Sequence, residues 1–179
     1  IERADVQQLG DRLYVCSFSR DTFKHYLYAL DARHGEVLWR KTTVQGIRRS
    51  LCVCGDLLIA NGYDGMVYAF DAESGRQRWK VAVGNGVDRF LNSAPQLDKD
   101  GFILAGTAHT FVSLNPNDGS LRWSKRLCSE FATTWNEPVY DAASNQILIP
   151  QQWADITTTI RGKETTGIHA LLDASTGKV

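Results

Sequence analysis

The sequence predicts an all-β chain of four-stranded antiparallel sheets, about four of them, stacked as the blades of a β-propeller. Three observations carry this. A phrase recurs along the chain with a period of about 40–45 residues, the range of propellers and other repeat folds. Each copy divides into short apolar runs between turn residues, the pattern of strands and hairpins rather than of helices. A sheet that is apolar on both faces cannot stand alone and must stack on its neighbours. Radial stacking does this while keeping sheet edges short.

The first unit, about 1–43, holds the apolar run "RLYVCSF" (12–18) and the phrase "ALDARHGEVLW" (29–39). The second, about 44–83, is the clearest. "SLCVC" (50–54) and "DLLIAN" (56–61) read as strands, and "GYDG" (62–65) as a hairpin turn in which Asp-Gly supplies positive φ. "MVYAF" (66–70) alternates as a third strand. "DAESG" (71–75) is the next turn, and "RQRWKVAV" (76–83) the last strand. The third unit, about 84–127, repeats this with "GFILAGT" (101–107) and "SLNPNDGSLRW" (113–123). The fourth, about 128–179, ends in "HALLDASTGKV" and is incomplete, because its Trp would fall at position 181. It also carries one extra residue between Ala170 and Asp173.

Aligned on the repeat, Trp39, Trp79 and Trp123 each follow a glycine by four residues: Gly35, Gly75 and Gly119. Each glycine follows Asp31, Asp71 or Asn115 by four more, and Asp173 and Gly177 continue the series. The physical reading is structural. The Asp or Asn side chain accepts backbone N–H groups of its own turn. Glycine closes the turn with positive φ. The Trp ring covers the joint between sheets, and its N–H finds a carbonyl. A carboxylate that recurs once per unit is not a catalytic acid, which needs a paired group in a single site.

Composition bounds the partners. Lys plus Arg number 20 and Asp plus Glu number 20, so the formal net charge is zero. Nucleic acid and anionic membrane both need a basic surface field, and neither is expected as the main partner. No apolar run approaches the ~20 residues of a membrane-spanning helix. The chain opens on "IERADV" without an initiator Met and is expected to be a mature product or a fragment. Of the four cysteines, Cys52 and Cys54 form C-x-C rather than the C-x-x-C of zinc and redox sites. Buried free thiols are expected, with one bridge between strands left open as the alternative. The four histidines are spread over three units and show no metal-ligand spacing. No nucleophile elbow, phosphate loop or dinucleotide fingerprint is present.

Residues that break the repeat are the candidates for function. Arg48 and Arg49 lie in "VQGIRRS" (44–50), and Asp88, Arg89 and Asn92 in "VDRFLNSAP" (87–95). Trp135, Asn136 and Glu137 lie in "FATTWNEPVYD" (131–141), just before or within an innermost strand. Trp153 and Arg161 belong to "QWADITTTIRGKETTG" (152–167), where the other units have a short turn. The last segment reads equally as a projecting hairpin or a binding loop. The rest are rim or channel-mouth residues that suit a polar ligand or solvated loop ends. Glu137 beside Asn136 offers two oxygen donors, short of the six to eight that Ca²⁺ takes, so no metal site is assigned.

The phrase A-x-D-x-x-x-G-x-x-x-W resembles the tryptophan-docking motif of pyrroloquinoline-quinone (PQQ)-type repeats. Ala29, Asp31, Gly35 and Trp39 match it, as do Ala69, Asp71, Gly75 and Trp79. The third copy departs with Ser113 and Asn115. The resemblance implies the quinoprotein alcohol dehydrogenase-like propeller, with this chain as part of a seven- or eight-bladed ring. The ring would be completed by a longer polypeptide, by self-association of two copies, or as a small four-bladed ring. It also implies a periplasmic or extracellular location. One branch of the superfamily is catalytic and holds PQQ and calcium on the axis, often beneath a disulfide of adjacent cysteines, whereas here Val53 separates Cys52 from Cys54. The other branch binds protein without chemistry. The expectation is a noncatalytic propeller scaffold without cofactor that binds a protein or glycan ligand on one rim. The alternatives are part of a PQQ- and calcium-dependent dehydrogenase, motivated by Arg48, Arg89 and Glu137, or an accessory module of a larger enzyme.

Overall fold

The computed structural model describes residues 6–19, 24–43, 47, 51–84, 94–107, 109–127, 132–133, 138–153, 158–160, 163–165 and 168–179. Every regular element among them is a β-strand. The first sheet runs β1 (Gln7–Leu9), β2 (Arg12–Ser19), β3 (Lys24–Asp31) and β4 (Val37–Thr43), each strand paired antiparallel with the next. The second runs β5 (Leu51–Cys54), β6 (Leu57–Asn61), β7 (Met66–Asp71) and β8 (Gln77–Ala82). The third runs β9 (Gln96–Leu97), β10 (Ile103–Gly106), β11 (Thr110–Leu114) and β12 (Leu121–Arg126). In the fourth, β13 (Ala132–Thr133) and β14 (Val139–Asp141) both pair with β15 (Gln146–Trp153). A separate hairpin of β16 (Thr158–Ile160) and β17 (Lys163–Thr165) follows, and β18 (Ile168–Asp173) then pairs with β15. First strands of successive sheets approach one another, β1 with β5 and β5 with β9, which sets them on the inner side of the stack.

Alternation along each strand sends apolar side chains to both faces, and three buried layers result. Tyr14, Leu27 and Ala29 of the first sheet meet Leu58, Ala60 and Phe70 of the second. Ile59, Val67 and Ala69, on the other face of the second sheet, meet Ile103, Ala105 and Leu114 of the third. Leu104 and Phe111 of the third then meet Ile147, Ile149 and Leu172 of the fourth. The second and third sheets are thus covered on both faces, which is why "LLIAN" is buried throughout rather than alternately.

The outer edge of each joint is closed by Trp. Trp39 Nε1 donates to the Ala72 carbonyl at 3.2 Å, Trp79 Nε1 to Pro116 at 2.8 Å and Trp123 Nε1 to Ala174 at 2.8 Å. Each accepting residue directly follows the Asp or Asn of the next unit's turn. The same rings lie over Gly75, Gly119 and Gly177, where an added Cβ would meet the indole at 2.8, 2.7 and 2.7 Å. These glycines also hold φ of 67°, 73° and 66°. Glycine is therefore required twice over, for the left-handed backbone and for the space.

The ladder adds one feature and corrects one reading. The outer strands are not regular. The register shifts beside Ala29, Ala69 and Ser113, leaving Leu38, Arg78 and Arg122 as the extra residue just before each Trp. Such a bulge bends the strand and re-aims the next side chain. The fourth copy, conversely, has no insertion. Asp173, Leu172 and Leu171 pair with Gln146, Ile147 and Leu148 without a shift, so Leu171 stands where Ala29, Ala69 and Ser113 stand. The sequence offered Ala170 as the match only because it is alanine.

Trp79→Ala removes an indole packed across a joint and leaves the Pro116 carbonyl unpaired. Urea denaturation should show a loss of about 3–5 kcal/mol. A loss under about 1 kcal/mol, the scale of a surface change, would mean that the joint does not depend on the ring.

Candidate binding rim

Antiparallel order sorts the connections to two ends of the stack. One end carries the turns β1–β2, β3–β4, β5–β6, β7–β8, β9–β10, β11–β12 and β14–β15, together with the turn after β18. The other carries the β2–β3, β6–β7 and β10–β11 hairpins, together with the ends of β4, β8 and β15 and the starts of β5, β9 and β18.

The polar groups of the first end are consumed by its own turns. Asp31 Oδ1 accepts from the backbone N–H of Arg33 at 3.0 Å and of His34 at 2.8 Å. Asp71 Oδ1 accepts from Ser74 N–H at 2.8 Å and Ser74 Oγ–H at 2.6 Å, and Arg78 bonds Asp71 Oδ2 at 2.8 Å. Asp173 does the same with Thr176, at 2.8 Å for both groups, and Asn115 Oδ1 takes Asn117 N–H at 3.0 Å. The Ser74 hydroxyl, the Ser74 N–H and then Arg78 hold the Asp71 carboxyl down at about 2. Asp31 is lowered mainly by the His34 N–H, and Asp173 mainly by the Thr176 hydroxyl. A general acid needs a pKa near working pH, and these are moved the other way. Asp98 is likewise spent: its side chain is buried, takes Asp100 and Phe102 N–H at 2.9 Å, and pairs with Arg122 at 2.9 Å.

Arg48, Arg49, Asp88, Arg89, Asn92, Trp135, Asn136, Glu137 and Arg161 lie outside the described residues. Trp153 closes β15, and its backbone pairs with Ala132, while its side chain also lies outside the description. The described strands on either side of 48–49 and of 85–93 terminate at the second end, β16 and β17 flank 161, and β13 and β14 flank 134–137. Three buried polar residues lie at the same end: Asn61 and Thr107, which the sequence reading passed over, and His109, which it weighed only as a metal ligand. Thr107 organises its hairpin, its Oγ1 accepting Thr110 N–H at 2.9 Å while its own N–H donates to Thr110 O at 2.8 Å. In the next turn of this end, Tyr68 O–H donates to Asp64 and Val83 N–H to Gly65 O at 2.9 Å. A signal for these residues existed, since Asn61 and Thr107 end the apolar runs "LLIA" and "ILAG".

Among the described residues no group of three or more His, Cys, Asp or Glu side chains could hold a metal ion, and no helix is long and apolar enough to cross a membrane. Cys16, Cys52 and Cys54 are free thiols, and Cys128 lies outside the described residues. Burial pushes Cys16 up to about 12. Burial, with Cys54 adding to it, pushes Cys52 up to about 11.

A family model described as outer membrane protein assembly factor BamB matches residues 7–179. The chain belongs to this family. The BamB family members and their neighbours share its architecture. BamB of Moraxella catarrhalis superposes with a TM-score of 0.71 at 19% identity, over 98% of this chain and 47% of that one. The quinohemoprotein alcohol dehydrogenase of Comamonas testosteroni superposes with a TM-score of 0.76 at 16% identity, over 97% and 33%. A protein of Paracoccus denitrificans named "Putative dehydrogenase XoxF" is 26% identical over 134 residues, 64% of this chain and 22% of its own length. The BamB-family chain described here therefore spans less than half of each of these relatives. The structural likenesses, at such identities, establish the propeller fold and PQQ-like repeat alone.

Two outcomes follow for this BamB-family chain. Because folded-state carboxylates are depressed, they stabilise above the unfolded pKa of about 4 and lose that contribution as pH falls toward about 2. Thermal midpoints should be flat from about pH 7 to 5 and fall below about 4. Asp71→Asn keeps the turn, as Asn115 does in the third unit, and should make that fall shallower. Second, residue-resolved alkylation at about pH 8 should leave buried Cys16 unmodified and half-buried Cys52 slow to react in the native protein, and label both in urea. Prompt native labelling would contradict their burial.

Proposed function

We propose that this chain is a noncatalytic, extracytoplasmic propeller scaffold that binds a protein partner on the rim carrying 44–50, 85–93 and 154–167, in the service of outer-membrane protein assembly. The observation that carries the reading is the family match across 7–179. The consumption of every described repeat carboxylate by its own turn supports it. Mixed charge on the variable rim (Arg48, Arg49, Asp88, Arg89) suits a polar protein surface better than a single-sign ligand such as nucleic acid. A glycan is the alternative ligand, and Trp135 and Trp153 are the side chains that would stack on it. The periplasm or cell exterior is the location this reading requires.

A second reading, part of a PQQ- and calcium-dependent dehydrogenase or an accessory module of one, is favoured by the TM-score of 0.76 to a quinohemoprotein. What supports the scaffold reading over this one is that Asp31, Asp71 and Asp173 are bonded within their own turns and that Val53 separates Cys52 from Cys54. Arg48, Arg89 and Glu137 are the residues that would have to hold the cofactor pair.

One titration separates the two. An unfolded outer-membrane β-barrel polypeptide should bind saturably, and the double variant Arg48→Glu/Arg89→Glu should weaken it about tenfold, the scale of one or two lost charge contacts. Added PQQ with Ca²⁺ should neither quench Trp fluorescence nor give dye-linked alcohol oxidation. Stoichiometric quenching with dye reduction would install the dehydrogenase reading instead.

A further inference from the structure

The formal net charge of zero hides a segregation along the strands. Among the described residues, eleven Asp and Glu lie at the end that carries the Asp–Gly turns. The others are Asp64, which accepts the Tyr68 O–H, and Glu164 in the β16–β17 hairpin. The outer strands place their cations the other way. Past its Trp, each runs toward the second end as Arg40–Thr43, Lys80–Ala82 or Ser124–Arg126. These ten residues include five cations, Arg40, Lys41, Lys80, Lys125 and Arg126, and no Asp or Glu.

Neutralisation follows the same division. At the turn end Arg12, Arg33, Arg78, Lys99 and Arg122 each pair with a carboxylate at 2.8–3.8 Å. Lys41, Lys80 and Lys125 have no carboxylate partner among the described residues. The register sets two of them on one joint. Lys41 pairs with Leu27 and Lys80 with Tyr68, and both of those residues pack in the layer between the first and second sheets. Lys41 and Lys80 therefore face the outer margin of the same joint from opposite sides. Like charges there oppose the joint rather than hold it. Beside them, Arg40 stacks over the Tyr26 ring at 5.3 Å, and that ring lies 6.0 Å from Tyr28. Stacking fixes the guanidinium and leaves its edge N–H groups for an acceptor. Lysine on an outer strand also blunts edge-to-edge pairing. That role is met by a cation anywhere along the strand, and it does not explain why the turn-end cations are paired while these lysines are not.

We infer that this outer shoulder is a docking surface for an acidic polypeptide segment, whose carboxylates lie along Arg40, Lys41 and Lys80 and onward to Lys125 and Arg126. Charge complementarity sets the occupant. A run of carboxylates finds unpaired cations here and like charge at the turn end. The first strands of successive sheets approach one another, and the outer strands bound the far side of each sheet, so the cations follow a row of separate edges. A flexible chain can follow such a row, whereas a flat anionic bilayer meets it one edge at a time. The shoulder lies beside the variable rim and does not depend on what that rim binds.

The test titrates the protein with a dye-labelled oligoglutamate peptide. Binding should saturate and weaken as salt rises, because exposed charges are screened. Lys41→Gln/Lys80→Gln should weaken it about fivefold, the scale of two exposed charge contacts. Lys41→Arg/Lys80→Arg keeps the charge and should retain binding. Arg76→Gln/Lys178→Gln removes the same charge from exposed positions at the turn end and should leave binding unchanged. Equal weakening by the two Gln pairs would mean that net charge alone is read, and would overturn the inference. So would a peptide that does not bind, which would leave the lysines as edge protection, or binding of phosphatidylglycerol vesicles in place of the peptide. Loss of barrel-polypeptide binding with peptide binding intact would count against the rim's proposed function and leave this surface standing.

Discussion

The joint between sheets depends on an indole laid over a glycine. The ring needs a flat seat and a carbonyl, and the neighbouring turn supplies both. Its glycine offers the seat, and the carbonyl of the residue after Asp or Asn accepts the ring N–H, at 2.8 Å for Trp79 and Trp123. Glycine N–H back to the Asp or Asn carbonyl holds the turn closed, at 2.8–2.9 Å in all four units. The bulge before each Trp turns the ring toward that seat. Removing any one part leaves the others without a purpose, so the phrase travels as a unit.

This constraint divides the molecule's two ends. The end that carries the Asp and Gly turns has little chemical freedom, because its carboxylates are bound to amides, hydroxyls and Arg78. The opposite end carries no docking phrase. In the sequence, the segments that depart most from the repeat in length and charge are 44–50, 85–93 and 152–167, which carry no docking phrase. Structural obligation and functional variation are thus separated along the strand axis, a common division where loops on a rigid scaffold carry recognition.

The same separation explains why one fold houses assembly factors and dehydrogenases. The joints are indifferent to what lies on the variable rim or the axis, so similarity of joints identifies the fold and leaves activity to the site. A family match over 7–179 places the chain within the BamB family, while a quinohemoprotein superposes as well. Under the proposed function, the residues that discriminate between the two are Arg48, Arg89 and Glu137 rather than those of the repeat.

The sequence by itself determined the repeat, the strands of the second unit and the turns at Gly35, Gly75, Gly119 and Gly177, because turn chemistry is local and glycine with positive φ has few substitutes. It also marked Asp31, Asp71 and Asp173 as structural from recurrence alone. The candidate residues were legible only as departures from the repeat, since a binding residue obeys its ligand rather than a local rule. Three features needed tertiary structure. The bulges at Leu38, Arg78 and Arg122 leave no compositional mark, because any residue can be the unpaired one. The equivalence of Leu171 with Ala29 follows from a hydrogen-bond ladder, which counts positions and ignores side-chain identity. The seating of Trp39 over Gly75 exists only across a joint, where residues from different units meet and no single unit's sequence can record the presence of its neighbour.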